Sequence, residues 1–96
     1  MLKKIEKLSL ENEKSLEQIG LKLSEETGEV TQALLSATNA PGSKYKSEGI
    51  EDVKEECVDV VMVALSLYFK IGGTTEELEN TLKIKTNKWE KVSSIK

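Results

Sequence analysis

Two pairs of acidic residues lie in or beside the apolar stripes of two predicted helices. One acid, Glu26, takes a position of its stripe, and the other three lie beside or flank a stripe. Glu26 and Glu29 form the first pair, and Glu56 and Asp59 form the second. Residues three apart share one face of a helix, with about 5 Å of rise between them. An unpaired buried carboxylate is costly, and no Lys or Arg occupies either apolar stripe to neutralise these four. The pattern therefore predicts that the four acids hold a cation.

The absence of histidine from the chain narrows the choice of cation. Helical di-iron sites use Glu-x-x-His pairs, and zinc sites use His and Cys. Four carboxylates without histidine suit a hard cation, so we expect Mg²⁺, with Mn²⁺ as a substitute. If the two helices pack antiparallel, both pairs come together, and phosphate groups can fill the remaining coordination positions.

Two long apolar stripes predict the helices that position these acids, over residues 12–38 and 51–71. The first stripe comprises Leu16, Ile19, Leu23, Val30, Ala33 or Leu34, and Ala37. The second comprises Val53, Cys57, Val60, Ala64, Leu67 and Ile71. Within it, Cys57 is interpreted as a small buried hydrophobic residue. Gly28 lies between the first two acids, where it permits either the close approach of a neighbouring helix or room for a ligand.

The rest of the chain also favours helices. Residues 1–11 predict a short helix, and residues 39–50, with their Pro-Gly pair, predict a loop. A third long helix is expected over residues 75–92, started by a capping box between Thr74 and Glu77, or else by Thr75. The fold class is therefore an all-α bundle of three long helices plus a short N-terminal helix.

Composition sets limits on size and partners. Residues 1–96 are enough for a single domain, but with 38% hydrophobic and 4% aromatic residues the core is lean. We therefore expect a homodimer or a homotetramer that buries further apolar surface. The net charge of −3 favours neither a nucleic-acid polymer nor a membrane as partner. One cysteine allows no intramolecular disulfide.

Nothing near the start of the chain predicts export. Residues 1–7 lack the apolar core of a signal peptide. The most apolar run, residues 58–69, is too short to cross a bilayer and carries Asp59. We therefore expect a cytoplasmic protein.

The acidic motifs resemble those of the MazG-like all-α nucleoside triphosphate pyrophosphohydrolases. That family's signature is matched by Glu-Glu-x-x-Glu at residues 25–29, followed after a spacer by Glu-x-x-Asp at residues 56–59. The segment Lys-Ile-Lys-Thr-Asn-Lys at residues 83–88 resembles the family's C-terminal motif of lysine and asparagine. The resemblance covers about residues 15–90. Each motif alone is weak, but their order and their place within apolar stripes strengthen the match.

The resemblance implies Mg²⁺-dependent hydrolysis between the α- and β-phosphates of a nucleoside triphosphate, giving a monophosphate and pyrophosphate. The substrate would be a deoxynucleotide or a noncanonical nucleotide, and the base and sugar cannot be read from the carboxylates. By the family pattern, the metal ligands are Glu26, Glu29, Glu56 and Asp59. The candidates for substrate contact are Lys83, Asn87 and Lys88, which are suited to phosphate or sugar. A carboxylate must also accept the proton of the attacking water, and the candidates are Glu25 and Glu29.

Two other functions compete with the enzyme. A non-catalytic helical module could keep the acids as a structural metal or nucleotide pocket, in which case Mg²⁺ stabilises the fold without turnover. A plain coiled-coil oligomer would show no response to metal. Trp89 fits each hypothesis differently, since it could stack on a base or cover a bundle end or subunit interface.

Overall fold

The computed structural model describes residues 1–39 and 49–95, and these form four helices without a strand. The helices are α1 (Leu2–Glu11), α2 (Leu16–Ala37), α3 (Ile50–Lys70) and α4 (Thr75–Ile95). The prediction of an all-α fold with three long helices and a short first one is confirmed. Most of the predicted loop over 39–50 lies outside the described residues. Within those ranges, no helix is both long enough and apolar enough to cross a membrane.

Side-chain caps determine where the long helices begin. The Ser15 hydroxyl accepts a hydrogen bond from the Gln18 backbone N–H at 3.1 Å, and the Gln18 side-chain oxygen accepts one from the Ser15 N–H at 2.8 Å. This capping box starts α2 at Leu16, so the predicted start at residue 12 is wrong. At α4, the Thr74 hydroxyl accepts from the Glu77 N–H at 3.1 Å, as the Thr74 alternative predicted.

The core lies where α3 packs against α2 on one side and α1 on the other. Along α2, three buried residues follow one another at intervals of seven: Ile19, Glu26 and Ala33. Few apolar side chains are fully buried, and within the described ranges these are Ile19, Ala33 and Phe69. A carboxylate therefore occupies the middle of the buried face of α2.

The face that α3 turns inward differs from the predicted stripe at alternate positions. The half-buried residues along it are Val53, Glu56, Val60, Val63 and Leu67. Cys57, Ala64 and Ile71 are exposed instead, so the prediction that Cys57 is buried is wrong for the single chain. The physical reason is that steps of three and four residues are both compatible with a helical stripe. At the first step the acid at position 56, and not the thiol at 57, faces α2.

The last helix leaves the bundle at a glycine corner. Gly72 has a φ of +105°, a conformation that L side chains rarely adopt, and the next residue packs directly against the Tyr68 ring. Among the described residues, α4 contacts α1 near its beginning and does not approach α2 or α3. Lys3 and Glu76 form an ion pair there, 3.5 Å apart. From Glu79 to Ser93 every residue of α4 is exposed.

Candidate metal centre

Three of the four predicted acids come together between α2 and α3. Glu26 and Glu29 extend from α2 and Glu56 from α3, and each offers an oxygen within 4.8 Å of the other two. We call these residues the acidic trio. Their grouping follows from the spacing of three on α2 and from the inward phase of Glu56 on α3. Like charges at such distances repel, so a proton or a bound cation would stabilise the arrangement.

Burial removes solvent from part of this cluster. Glu26 is 7% exposed, while Glu29 and Glu56 are half-buried. One oxygen of Glu26 and one of Glu56, each an Oε2, are buried without a hydrogen-bond partner among the described residues. A buried carboxylate oxygen without a donor is costly. These two orphaned oxygens are the kind of ligand that a hard cation accepts.

The protonation of Glu56 reflects the same crowding. Burial raises the pKa of Glu56, and the charge of Glu29 and a hydrogen bond with it raise that pKa further. Asp59 and Glu26 add smaller electrostatic contributions in the same direction. The carboxyl of Glu56 therefore holds its proton to a higher pH than an ordinary glutamate, unless a cation replaces that proton.

A basic residue from outside the apolar stripes lies at the edge of the trio. Lys22 Nζ is 3.1 Å from Glu26 Oε1 and 3.4 Å from Glu25 Oε1. The hydrogen bond to Glu26 is the largest cause of a raised Lys22 pKa. Lys22 lies outside both apolar stripes, as the sequence shows, yet its long side chain reaches Glu26 and offsets part of its charge. The spacing of four residues between Lys22 and Glu26 is the signal that could have found this pair.

The fourth acid, Asp59, lies beside the trio and not within it. Its side chain is exposed and lines an open groove on α3. The groove is formed by Glu51, Lys54, Glu55, Val58 and Asp59, and we call it the acidic groove. Asp59 is nevertheless near enough to raise the pKa of Glu56. Its role as a metal ligand stays a prediction.

The candidates for proton acceptor differ in position. Glu29 belongs to the trio, whereas the side chain of Glu25 is 58% exposed and pairs with Lys22. Gly28 is exposed, and a Cβ built on it meets nothing within 4 Å. None of the described residues closes on Gly28, and the close approach of a neighbouring helix stays a prediction. Room for a ligand beside Gly28 stays a prediction.

The predicted substrate contacts are far from the trio of their own chain. Lys83, Asn87 and Lys88 are exposed on α4, which does not approach the two helices that carry the acids. Trp89 is exposed as well, at 74%. Within one chain, therefore, the structure does not bring the lysine and asparagine motif to the carboxylates.

A cavity with largely apolar walls is linked to the trio through Lys22. Its volume is about 230 Å³, and it lies between α2 and α3 near the end of α1. The residues that line it are Asn12, Lys14, Ile19, Lys22, Met62, Val63 and Ser66. Lys22 thus borders both the acidic trio and the cavity. Apolar walls with a few polar groups are typical of pockets that bind small molecules.

Family models, curated proteins and solved structures give no match to this chain. Its functional assignment therefore depends on the trio, on Lys22 and on the cavity beside them.

Proposed function

We propose that the chain is a Mg²⁺-dependent nucleoside triphosphate pyrophosphohydrolase of the MazG-like kind. The observation that carries the proposal is the acidic trio, in which two helices direct three carboxylates to one point and leave two buried oxygens without a donor. This arrangement agrees with the resemblance of the two acidic motifs to that family. The substrate is a deoxynucleotide or a noncanonical nucleotide, and the cellular location is the cytoplasm.

The donor set and the charge of the trio fit a divalent hard cation. The three carboxylates carry −3 when ionised, Asp59 adds −1 and Lys22 contributes +1, which leaves −3 for a divalent cation to offset in large part. Glu26, Glu29 and Glu56 would hold Mg²⁺, and Asp59 would join them from the rim of the acidic groove. When bound, Mg²⁺ neutralises phosphate oxygens and acidifies water.

Side chains near the trio would supply the proton acceptor and a cation for phosphate. A water oxygen bonds to phosphorus while the bridging P–O bond between the α- and β-phosphates breaks. The monophosphate and pyrophosphate are released, and a carboxylate accepts the water's proton. Glu29 is favoured for that role over Glu25, because Glu29 lies in the trio and Glu25 is exposed. Lys22, at the edge of the trio, can offer its ammonium to a phosphate oxygen.

The cavity gives the nucleoside part of the substrate a place near the phosphates. Its apolar walls include Ile19, Met62 and Val63, while Asn12 and Ser66 supply polar groups. Because Lys22 borders both regions, a triphosphate over the trio would direct its sugar and base toward this cavity. The base preference would then depend on the cavity and not on the carboxylates.

The test is an assay of pyrophosphate release from a panel of ribo- and deoxynucleotides with Mg²⁺. We expect release by the wild type and about a 100-fold lower rate for Glu56→Gln. The loss of one group that stabilises charge in the transition state lowers a rate by about that factor. The matched control is Glu13→Gln, which removes the same charge from an exposed residue between α1 and α2. If the wild type releases no pyrophosphate from any nucleotide, the enzymatic proposal is wrong.

A non-catalytic module is the second candidate, and one observation favours it. The exposed lysines of α4 do not reach the trio of their own chain, so a single chain provides few cations for a triphosphate. This hypothesis predicts that Mg²⁺ raises the melting temperature while no nucleotide is hydrolysed. A melting curve that does not respond to Mg²⁺ would contradict both the enzyme and the metal-binding module.

A further inference from the structure

The corner between α1 and α2 holds Asn12 by three of its four hydrogen-bonding groups. Its backbone N–H donates to the Ser9 carbonyl at 3.3 Å, and its backbone carbonyl accepts from the Lys70 ammonium. Its side-chain oxygen, Oδ1, accepts from the Lys14 N–H at 2.9 Å. The side-chain amide nitrogen, Nδ2, has no partner among the described residues. Asn12 therefore presents a donor that no other part of the described chain uses.

The surroundings of Asn12 fix the orientation of its amide. A backbone N–H can only donate, so the atom that faces Lys14 must be the oxygen, and Nδ2 must lie on the other side. Lys70 is half-buried in the last turn of α3, and it supplies a cation to the C-terminal end of α1, where backbone carbonyls lack partners within the helix. An amide held in this way loses little freedom when it binds a ligand, which favours its use in recognition.

Asn12 also lies where two cavities meet. The first is the cavity of about 230 Å³ beside Lys22. The second has a volume of about 170 Å³ and lies between α1 and α3, with Ile5 and Leu8 in its walls. Three residues line both cavities, and we call them the junction: Asn12, Met62 and Ser66. Because two of the three are neutral and polar, the junction can bind uncharged hydrogen-bonding groups of a ligand.

Ser66 supplies the second polar group of the junction. It lies four residues after Met62, on the same face of α3, and it is half-buried. Its hydroxyl makes no hydrogen bond within the described part of the chain. A hydroxyl can rotate to donate or to accept, whereas Nδ2 of Asn12 can only donate. The junction therefore selects a ligand by the group that meets Asn12.

The junction lies along α3 from the acidic trio, in the direction of the first cavity. Glu56, of the trio, and Ser66 are ten residues apart, which corresponds to about 15 Å along the helix. Lys22 borders both the trio and the first cavity, so it lies between these two ends. The apolar walls formed by Ile19 and Val63 suit the flat faces of a base. A nucleotide with its phosphates at the trio would therefore bring the edge of its base to the junction.

The bases differ in the group that they would bring to this donor. Uracil, thymine, guanine and hypoxanthine carry a carbonyl with a ring N–H beside it, whereas cytosine and adenine carry an amino group beside an unprotonated ring nitrogen. A carbonyl accepts from Nδ2 of Asn12, and the ring N–H donates to the Ser66 hydroxyl. An amino group would instead face another donor and lose its hydrogen bonds to water, which is costly in a partly buried site.

We propose that Asn12 and Ser66 select nucleotides whose base carries a carbonyl at this edge, and that Lys70 positions Asn12 for this selection. The substrate class is then that of the keto bases, which include uracil and hypoxanthine, the deamination products of cytosine and adenine. This deepens the proposed function, on which the inference rests for the identity of the ligand. The selection is a property of binding, so it can be measured without hydrolysis.

The first test measures the binding of triphosphates in which an imido group replaces the bridging oxygen between the α- and β-phosphates. These analogues resist hydrolysis. By titration calorimetry with Mg²⁺, the analogue of dUTP should bind about 10-fold more tightly than that of dCTP, and the analogue of dITP about 10-fold more tightly than that of dATP. The factor reflects the cost of a buried donor left unpaired. Equal binding within each pair, or no binding of any analogue, overturns the proposal.

The most direct variant is Asn12→Asp, which keeps the shape of the side chain and the bond to the Lys14 N–H but replaces the donor by an acceptor. A carboxylate accepts from the amino group of cytosine or adenine. We therefore expect this variant to prefer the analogues of dCTP and dATP, although its added charge weakens the binding of every triphosphate. If Asn12→Asp keeps the wild-type order of affinities, Asn12 does not select the base.

The matched control is Asn80→Asp, the same change at an exposed position of α4 that lines neither cavity. It should keep the wild-type preference, and a reversal here as well would refute the role of Asn12. Ser66→Ala removes the hydroxyl and should weaken the binding of the dUTP analogue by about 5-fold. An unchanged affinity would refute the role of Ser66.

The role of Lys70 is tested by the same ratio of affinities. Lys70→Met removes the bond to the Asn12 carbonyl and should lower the preference for the dUTP analogue over the dCTP analogue. Lys70→Arg keeps a donor at this position and should retain the preference. A role in stability alone would lower the melting temperature of Lys70→Met without changing the ratio, and this result would refute the positioning role.

Turnover separates this inference from the proposed function. A wild type that hydrolyses dUTP and dCTP with equal kcat/KM, and binds both analogues equally, supports the proposed function and refutes the selection. A wild type that binds the dUTP analogue more tightly but releases no pyrophosphate refutes the proposed function and supports the selection in a non-catalytic module.

Discussion

Lys22 and Glu26 form an ion pair on one face of α2, with the ammonium 3.1 Å from Oε1 of the carboxylate. The other oxygen of Glu26, Oε2, is buried without a partner in the described part of the chain. One oxygen of this carboxylate therefore has a cationic partner, and the other has no partner among the described residues. Such a division suits a residue that holds a cation while its orientation is fixed by a neighbour.

The first prediction concerns the removal of that neighbour. Lys22→Met takes one positive charge from the edge of the trio, which leaves more negative charge for Mg²⁺ to compensate. We expect the variant to melt at a lower temperature than the wild type in EDTA. We also expect Mg²⁺ to raise its melting temperature by more than it raises that of the wild type.

The comparison requires a matched change of charge away from the trio. Lys7→Met removes an exposed lysine from α1 and should leave the response to Mg²⁺ unchanged. Differential scanning calorimetry with and without Mg²⁺ gives both shifts for each protein. If Mg²⁺ raises the melting temperatures of Lys22→Met and the wild type equally, the charge of Lys22 does not affect the proposed metal site.

The second prediction follows from the raised pKa of Glu56. In the metal-free protein, the folded state holds this proton at a pH where the unfolded state has lost it. Stability then falls as the pH rises from the ordinary glutamate pKa through the raised one, and it is constant above. Glu56→Gln removes this effect. Without metal, the variant should therefore be more stable than the wild type near neutral pH, and the difference should vanish toward acid pH.

Denaturant unfolding in EDTA, from acid to neutral pH, measures this dependence. Glu13→Gln is the control, since it removes an exposed carboxylate and should follow the wild-type curve. Added Mg²⁺ should reverse the order at neutral pH, because the wild type binds the ion and Glu56→Gln binds it less. If the wild type is more stable than Glu56→Gln in EDTA at neutral pH, burial and neighbouring carboxylates do not destabilise the ionised form of Glu56 as predicted.

Periodicity was sufficient to predict the helices and the inward position of Glu26. That residue stands seven positions from Ile19 and seven from Ala33, both of them buried, so its phase on α2 is unambiguous. On α3 the phase was ambiguous, because positions 56 and 57 both continue a stripe that begins at Val53. The stripe predicts a buried thiol with the acid beside it, whereas in the structure the acid at position 56 faces α2.

Two other features depend on relationships that a stripe does not express. Lys22 is exposed and lies outside the apolar stripe, yet its long side chain reaches Glu26 one turn away. The course of α4 was not predictable, because Gly72 and Gly73 mark the end of a helix without setting the direction of the next one. The position of Asp59 beside the trio has a similar cause, since it shares the side of α3 that carries Glu55 and Met62.

The third prediction separates the two candidates for proton acceptor. Glu29→Gln should lower pyrophosphate release by about 100-fold or more, because it removes both a proposed metal ligand and the proposed base. Glu25→Gln should retain most of the activity, because the Glu25 side chain is 58% exposed and outside the trio. The pH dependence of kcat/KM for Glu25→Gln should match that of the wild type. If Glu25→Gln loses the rise of kcat/KM on the acidic side of the profile, the base is Glu25 instead.

The fourth prediction tests the corner from which α4 departs. A Cβ on Gly73 would overlap the ring of Tyr68, whose hydroxyl donates to the Thr74 carbonyl at 2.9 Å and whose ring meets Phe69 edge-on at 5.3 Å. Gly73→Ala must therefore displace a packed aromatic residue, and overpacking of this kind costs about 1–3 kcal/mol. In a domain of this size, the melting temperature should fall by about 4–8 °C for each kcal/mol.

Gly28→Ala is the matched control for this change, because it adds the same methyl group in the middle of α2. A Cβ there meets nothing within 4 Å, so the substitution should stabilise the helix by up to about 1 kcal/mol. Chemical denaturation of both variants gives the two free energies of unfolding. If Gly28→Ala instead destabilises the protein as much as Gly73→Ala does, a second chain or a ligand must occupy the space beside Gly28. The interpretation of that residue as uncovered would then apply to the isolated chain alone.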